Sequence, residues 1–87
     1  MHPYEINVYA NHEDTTHPGR QEMIVVCDPD TGEALLDTAP VGWDADNDTY
    51  VAGYIVHADS RQGALDLFRE WQEGGETATE RVQRIAL

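Results

Sequence analysis

Between Ala64 and Trp71 the apolar residues Ala64, Leu65, Leu67, Phe68 and Trp71 fall on one side of a helix, and Asp66, Glu70 and Glu73 fall on the other. Asp59 or Ser60 is placed to cap its start, and Gly74-Gly75 ends it. This segment constrains the fold more than any other, because the apolar segments before it read as strands. Tyr4, Ile6, Val8 and Ala10 alternate with Glu5, Asn7 and Tyr9, which predicts a half-buried strand over Tyr4 to Ala10. Glu22 to Cys27 is rich in β-branched residues and is followed by Asp28-Pro29-Asp30-Thr31-Gly32 and then Glu33 to Thr38, the pattern of a hairpin. Pro29 presets φ for the turn, Asp30 and Thr31 can bond the backbone locally, and Gly32 tolerates positive φ. Thr49 to Ala58 is the longest β-rich run and is expected to be the central strand.

The stretches Asn11 to Arg20 and Ala39 to Asp48 are polar and lack periodicity, so both read as surface loops. The last segment fits two elements. Thr77 and Glu80 make a capping box for a helix carrying Val82, Ile85 and Ala86, while Val82 to Leu87 also suits a strand. The strand is favoured. The expectation is an α+β domain in the order β-β-β-β-α-β, with a four- to five-stranded, mostly antiparallel sheet and one amphipathic helix on one face. A chain of 87 residues makes a single domain, 1–87, and buries only about 60–65% of its unfolded surface, so an enzyme cleft would compete with the core for the same residues.

Lone Cys27 cannot form an internal disulfide, and neither a leader pattern nor a long apolar run is present. A reduced, cytoplasmic protein is expected. The charge is the unusual quantity: 17 Asp and Glu stand against 5 basic residues, all of them Arg, for a net −12. A field of that sign repels nucleic acid and anionic membranes and draws in basic surfaces.

Several short motifs approach catalytic or metal-binding patterns and then depart from them. His12-Glu13-Asp14-Thr15-Thr16-His17 is similar to the H-E-x-x-H of zinc proteases, but its histidines are five apart and would diverge by about 140° on a helix. Ile24 to Thr31 resembles the nucleophile strand of haloacid-dehalogenase-type phosphatases, with the threonine one position early and too short a chain for that family's parallel sheet. Glu33-Ala34-Leu35-Leu36-Asp37-Thr38 resembles the active-site strand of retroviral-type aspartic proteases, whose D-T-G is here Asp37-Thr38-Ala39, without the glycine of the active-site turn. Asp44, Asp46 and Asp48 open like an EF-hand calcium loop, but Thr49 and Ile55 occupy the places of its glycine and final glutamate. No P-loop, dinucleotide fingerprint or nucleophile paired with a base is present. No catalytic residue, metal ligand or cofactor is therefore assigned, and the chain is not expected to be an enzyme.

What remains is the placement of charge. Asp66, Glu70 and Glu73, at i, i+4 and i+7, lie about 5–6 Å apart on a helix face, near the spacing of phosphates along a strand. Asp44, Asp46, Asp48, Glu13 and Asp14 add to them if the loops fold to the same side. The expected function is an acidic protein–protein interaction module that binds a basic, nucleic-acid-binding surface, in the manner of a nucleic-acid mimic. In size and charge the chain is similar in type to the small acidic inhibitors of phages and mobile elements, anti-CRISPR proteins among them. Two alternatives accompany this reading. One is an accessory domain whose acidity reflects solubility, high salt or a GC-rich genome and which forms a homodimer through its sheet edges. The other is weak divalent-cation binding at Asp44, Asp46 and Asp48.

Overall fold

The computed structural model describes residues 1–11, 22–75 and 80–86. Five strands, β1 (His2–Asn11), β2 (Glu22–Cys27), β3 (Ala34–Asp37), β4 (Asp48–Ala58) and β5 (Val82–Ala86), form one sheet in the order β3-β2-β1-β4-β5. Every neighbouring pair is antiparallel. The helix α1 (Arg61–Gln72) lies between β4 and β5 in the chain and packs on one face of the sheet. The fold is thus the expected α+β arrangement, with the last segment a strand.

One position in the sheet differs from expectation. β1 is the central strand, paired with β2 on one side and β4 on the other, and β4 has β5 as its outer neighbour. Length and β-propensity do not encode neighbours; pairing does, and the β2–β3 hairpin occupies the side of β1 that β4 leaves open.

The alternation in β1 sorts the two faces. Ile6 and Val8 join Ile24, Val26, Ala52, Tyr54, Val56 and Ala58 beneath α1, which contributes Ala64, Leu65 and Phe68. Phe68, Ile6, Val26 and Val56 are wholly buried. The rings of Tyr54, Phe68 and Trp71 meet at centroid distances of 4.8, 5.2 and 5.8 Å, an aromatic cluster that joins helix to sheet. On the other face Met23, Val25 and Cys27 form a smaller buried cluster, covered in part by Tyr9 and Trp43.

The turns follow their sequence chemistry with one change of donor and acceptor roles. Gly32 adopts φ +76° and its N–H reaches the Asp28 carbonyl at 2.8 Å, closing the β2–β3 hairpin. The side chain that organises this turn is Asp28 rather than Asp30: its carboxylate accepts from the N–H groups of Asp30 and Thr31 at 2.8 and 3.3 Å. Asp28 precedes the turn, where an Asx side chain can accept from the N–H groups two and three residues on. Ser60 caps α1 by accepting from the Gly63 N–H at 3.0 Å, and Gly74, at φ +89°, ends the helical stretch as its left-handed residue.

Candidate partner-binding surface

The apolar stripe of α1 fixes its rotation, so the residues opposite the stripe must face solvent. Asp66, Glu70 and Glu73 are all exposed, from the middle of the helix to the residue just beyond its end. Asp66 accepts a hydrogen bond from the Gln62 side chain at 3.0 Å, one turn earlier. Glu70 folds toward the helix end, where its side chain occupies the space beside Gly75. Arg69, exposed in the last turn, interrupts the row with a positive charge, a placement that the helix dipole favours.

Asp44, Asp46 and Asp48 are brought together elsewhere. A single 3-10 turn, Ala45–Asn47, is capped by Asp44, whose carboxylate accepts from the Asp46 N–H at 3.0 Å. Asp48 accepts from the Trp43 indole N–H at 3.3 Å and is half-buried. Trp43 in turn packs against Met23, Val25 and Cys27, on the sheet face away from α1. The helix row and this turn are therefore tethered to opposite faces of the sheet. Periodicity within a helix could place the first group, but only the packing of Trp43 decides the side on which the second stands. Glu13 and Asp14, with the histidines His12 and His17, lie outside the described residues.

The hydrogen bonds also separate these aspartates from the calcium-loop reading. Asp44 turns back on its own backbone and Asp48 toward an indole, and no group of three or more His, Cys, Asp or Glu among the described residues could hold a metal ion. Asp37, the aspartate of the protease-like segment, accepts from the Ala39 N–H at 2.7 Å, and Thr38 both donates to the Ile24 carbonyl and accepts its N–H. Both residues serve the end of the hairpin.

Two further features were not singled out in the sequence. At the start of β1, against the β2–β3 turn and the beginning of α1, lies a cleft of about 350 Å³ whose walls include Tyr4, Asp28, Asp30 and Arg61. Arg61 closes one side by donating to the Leu35 carbonyl at 3.1 Å. The second feature is on the sheet face away from α1. Tyr9 and Tyr50, cross-strand partners, meet edge to face with centroids 5.7 Å apart. Burial raises the Tyr9 hydroxyl above its ordinary value, and the charges of Cys27, Asp48, Tyr50 and Glu5 add to the rise. The alternation of Glu5, Asn7 and Tyr9 marks these as outward-facing residues of one strand; their meeting with Tyr50 depends on register.

No helix among the described residues is long and apolar enough to cross a membrane. No protein-family model matches the chain, and no curated protein or solved structure matches it.

Proposed function

We propose that this chain is an acidic interaction module, without catalysis of its own, that docks on a basic protein surface. The observation that carries the reading is the exposed row Asp66, Glu70 and Glu73 on a helix whose opposite side is locked into the core. The backbone of this row is held in place before a partner arrives, so little of the interaction free energy is lost to ordering it. The row spans about 10 Å along the axis, roughly two phosphate steps of a nucleic-acid strand at about 5–6 Å each. A nucleic-acid-binding protein with Arg and Lys in its groove is the partner class this row would suit, and an inhibitor of the type carried by phages and mobile elements is the corresponding role.

A second reading has an observation of its own. Asp28, Asp37, Asp44 and Asp48 all serve in turns, caps or side-chain tethers, and the carboxylates occupy both faces of the sheet, as acidity acquired for solubility or habitat would do. The two are separated by neutralising the row, Asp66→Asn with Glu70→Gln and Glu73→Gln, and measuring retention of a host partner at low and high salt. A docking row requires steep salt dependence in the wild type and loss of retention in the variant. Retention indifferent to both changes removes the proposal.

A further inference from the structure

We propose that the sheet face opposite α1 is a second docking surface, one that receives an arginine side chain of the partner across the Tyr9–Tyr50 pair. This rests on the reading that the partner is basic, and adds a place and a chemistry to it.

Helix α1 covers only one side of the sheet. On the other, the strand register sets Tyr9 opposite Tyr50, with Asn7 opposite Gly53 two residues further along. Gly53 explains how Tyr50 is held: a Cβ at that position would collide with the Tyr50 hydroxyl, so the missing side chain is the space into which the phenol lies. The ring therefore rests across β4. Tyr50 remains 36% exposed, which leaves its outer side to solvent.

Carboxylates stand at both ends of this pair. Asp48, one of whose oxygens already accepts from the Trp43 indole, begins β4 opposite Asn11, beyond the tyrosines, and Glu5 lies opposite Ile55 at the other end. Arginines are distributed differently. Among the described residues, Arg61 and Arg69 belong to α1, Arg84 of β5 is paired with Tyr54, whose ring faces the helix, and Arg81, just before β5, donates to the Met1 sulfur. The helix side thus mixes both signs, while the tyrosine face sets aromatic rings between two acids. A guanidinium fits this arrangement better than an ammonium, because its plane stacks on a ring while its N–H fork reaches a carboxylate. Charge complementarity selects the occupant: a partner segment that presents arginine.

The test uses the full chain, labelled with nitrogen-15, titrated at low salt with hexa-arginine and, separately, with hexa-lysine of equal charge. Support requires amide shifts at Tyr9, Tyr50, Gly53 and Asn7, and tighter binding of the arginine peptide by roughly two- to fivefold. That preference should vanish in Tyr50→Ala and survive in the variant with Asp66, Glu70 and Glu73 neutralised. Glu5→Gln, which leaves the rings intact, should weaken both peptides. Shifts confined to α1, or equal affinity for the two peptides, overturn this inference and leave the helix-row proposal standing. Absence of binding by either peptide overturns both.

Discussion

Cys27 is buried in the smaller cluster, where its sulfur accepts from the Asn7 side chain at 3.7 Å. Burial pushes the thiol up from its ordinary 9.0; the Asn7 hydrogen bond opposes that shift, and the charge of Glu5 adds to it. Tyr9 moves in the same direction from 10.0. Both groups are charged when deprotonated, so a raised native value means that the folded state holds the proton more tightly than the unfolded chain. Their contribution to stability is complete below the unfolded values and is lost as pH rises through and beyond them. The melting temperature should therefore be insensitive to these groups near neutrality and fall above about pH 9, with the onset shifted upward in Cys27→Ala. A melting temperature that climbs with pH in that window contradicts the assignment. Gly53 offers a second residue-scale check. Tyr50 is exposed and can swing outward, so Gly53→Ala should cost less than about 1 kcal/mol yet abolish the nuclear Overhauser contacts between the Tyr9 and Tyr50 rings. Persistence of those contacts would mean that the phenol does not rest on Gly53.

At the scale of elements, α1 depends on two separable devices. The Ser60 cap satisfies one of the helix's free N–H groups, and Ser60→Ala is expected to cost about 1 kcal/mol, lowering the melting temperature by about 4–8 °C for a domain of this size. Phe68 is wholly buried between the sheet and Trp71, and Phe68→Ala should cost about 3–5 kcal/mol, much of the stability that a small domain has. Urea unfolding of the two variants checks both, and a cap effect larger than the Phe68 effect would reverse the assigned order. Because Asp66, Glu70 and Glu73 depend on this helix only for position, their neutralisation should leave the unfolding slope unchanged. The strands carry less redundancy. β3 is four residues long and β5 five, and both edges of the sheet are held by these short pairings.

For the whole molecule, the charge acts as a sum. A net −12 on a chain with a Cα radius of gyration of 12.8 Å repels itself at ranges that salt can screen. Raising sodium chloride from about 0.02 to about 0.5 M should increase the melting temperature by several degrees, while the same change weakens binding to a basic partner. The opposite signs make the two effects distinguishable in one salt series. A melting temperature unaffected by salt would show that self-repulsion contributes little to the fold's free energy. Neutralising the helix row should reproduce part of the salt effect on stability, since it removes three of the mutually repelling carboxylates.

The sequence by itself determined four strands and the helix, and which side of β1 and α1 turns inward, whereas the last segment, which suited a helix or a strand, was decided by its pairing with β4. Alternation in β1, the one-sided apolar stripe of α1, the Asp28–Gly32 turn and a cap at Asp59 or Ser60 are local patterns, and local sterics and burial suffice to read them; the structure chose Ser60. The outward row Asp66, Glu70 and Glu73 was legible for the same reason. Only the tertiary structure decided that β1 and not β4 is central, that Trp43 draws the acidic turn to the face away from α1, and that Tyr50 lies over Gly53 beside Tyr9. Those facts depend on which strands pair and in which register, and a period of two residues reports the face of a strand without naming its neighbour.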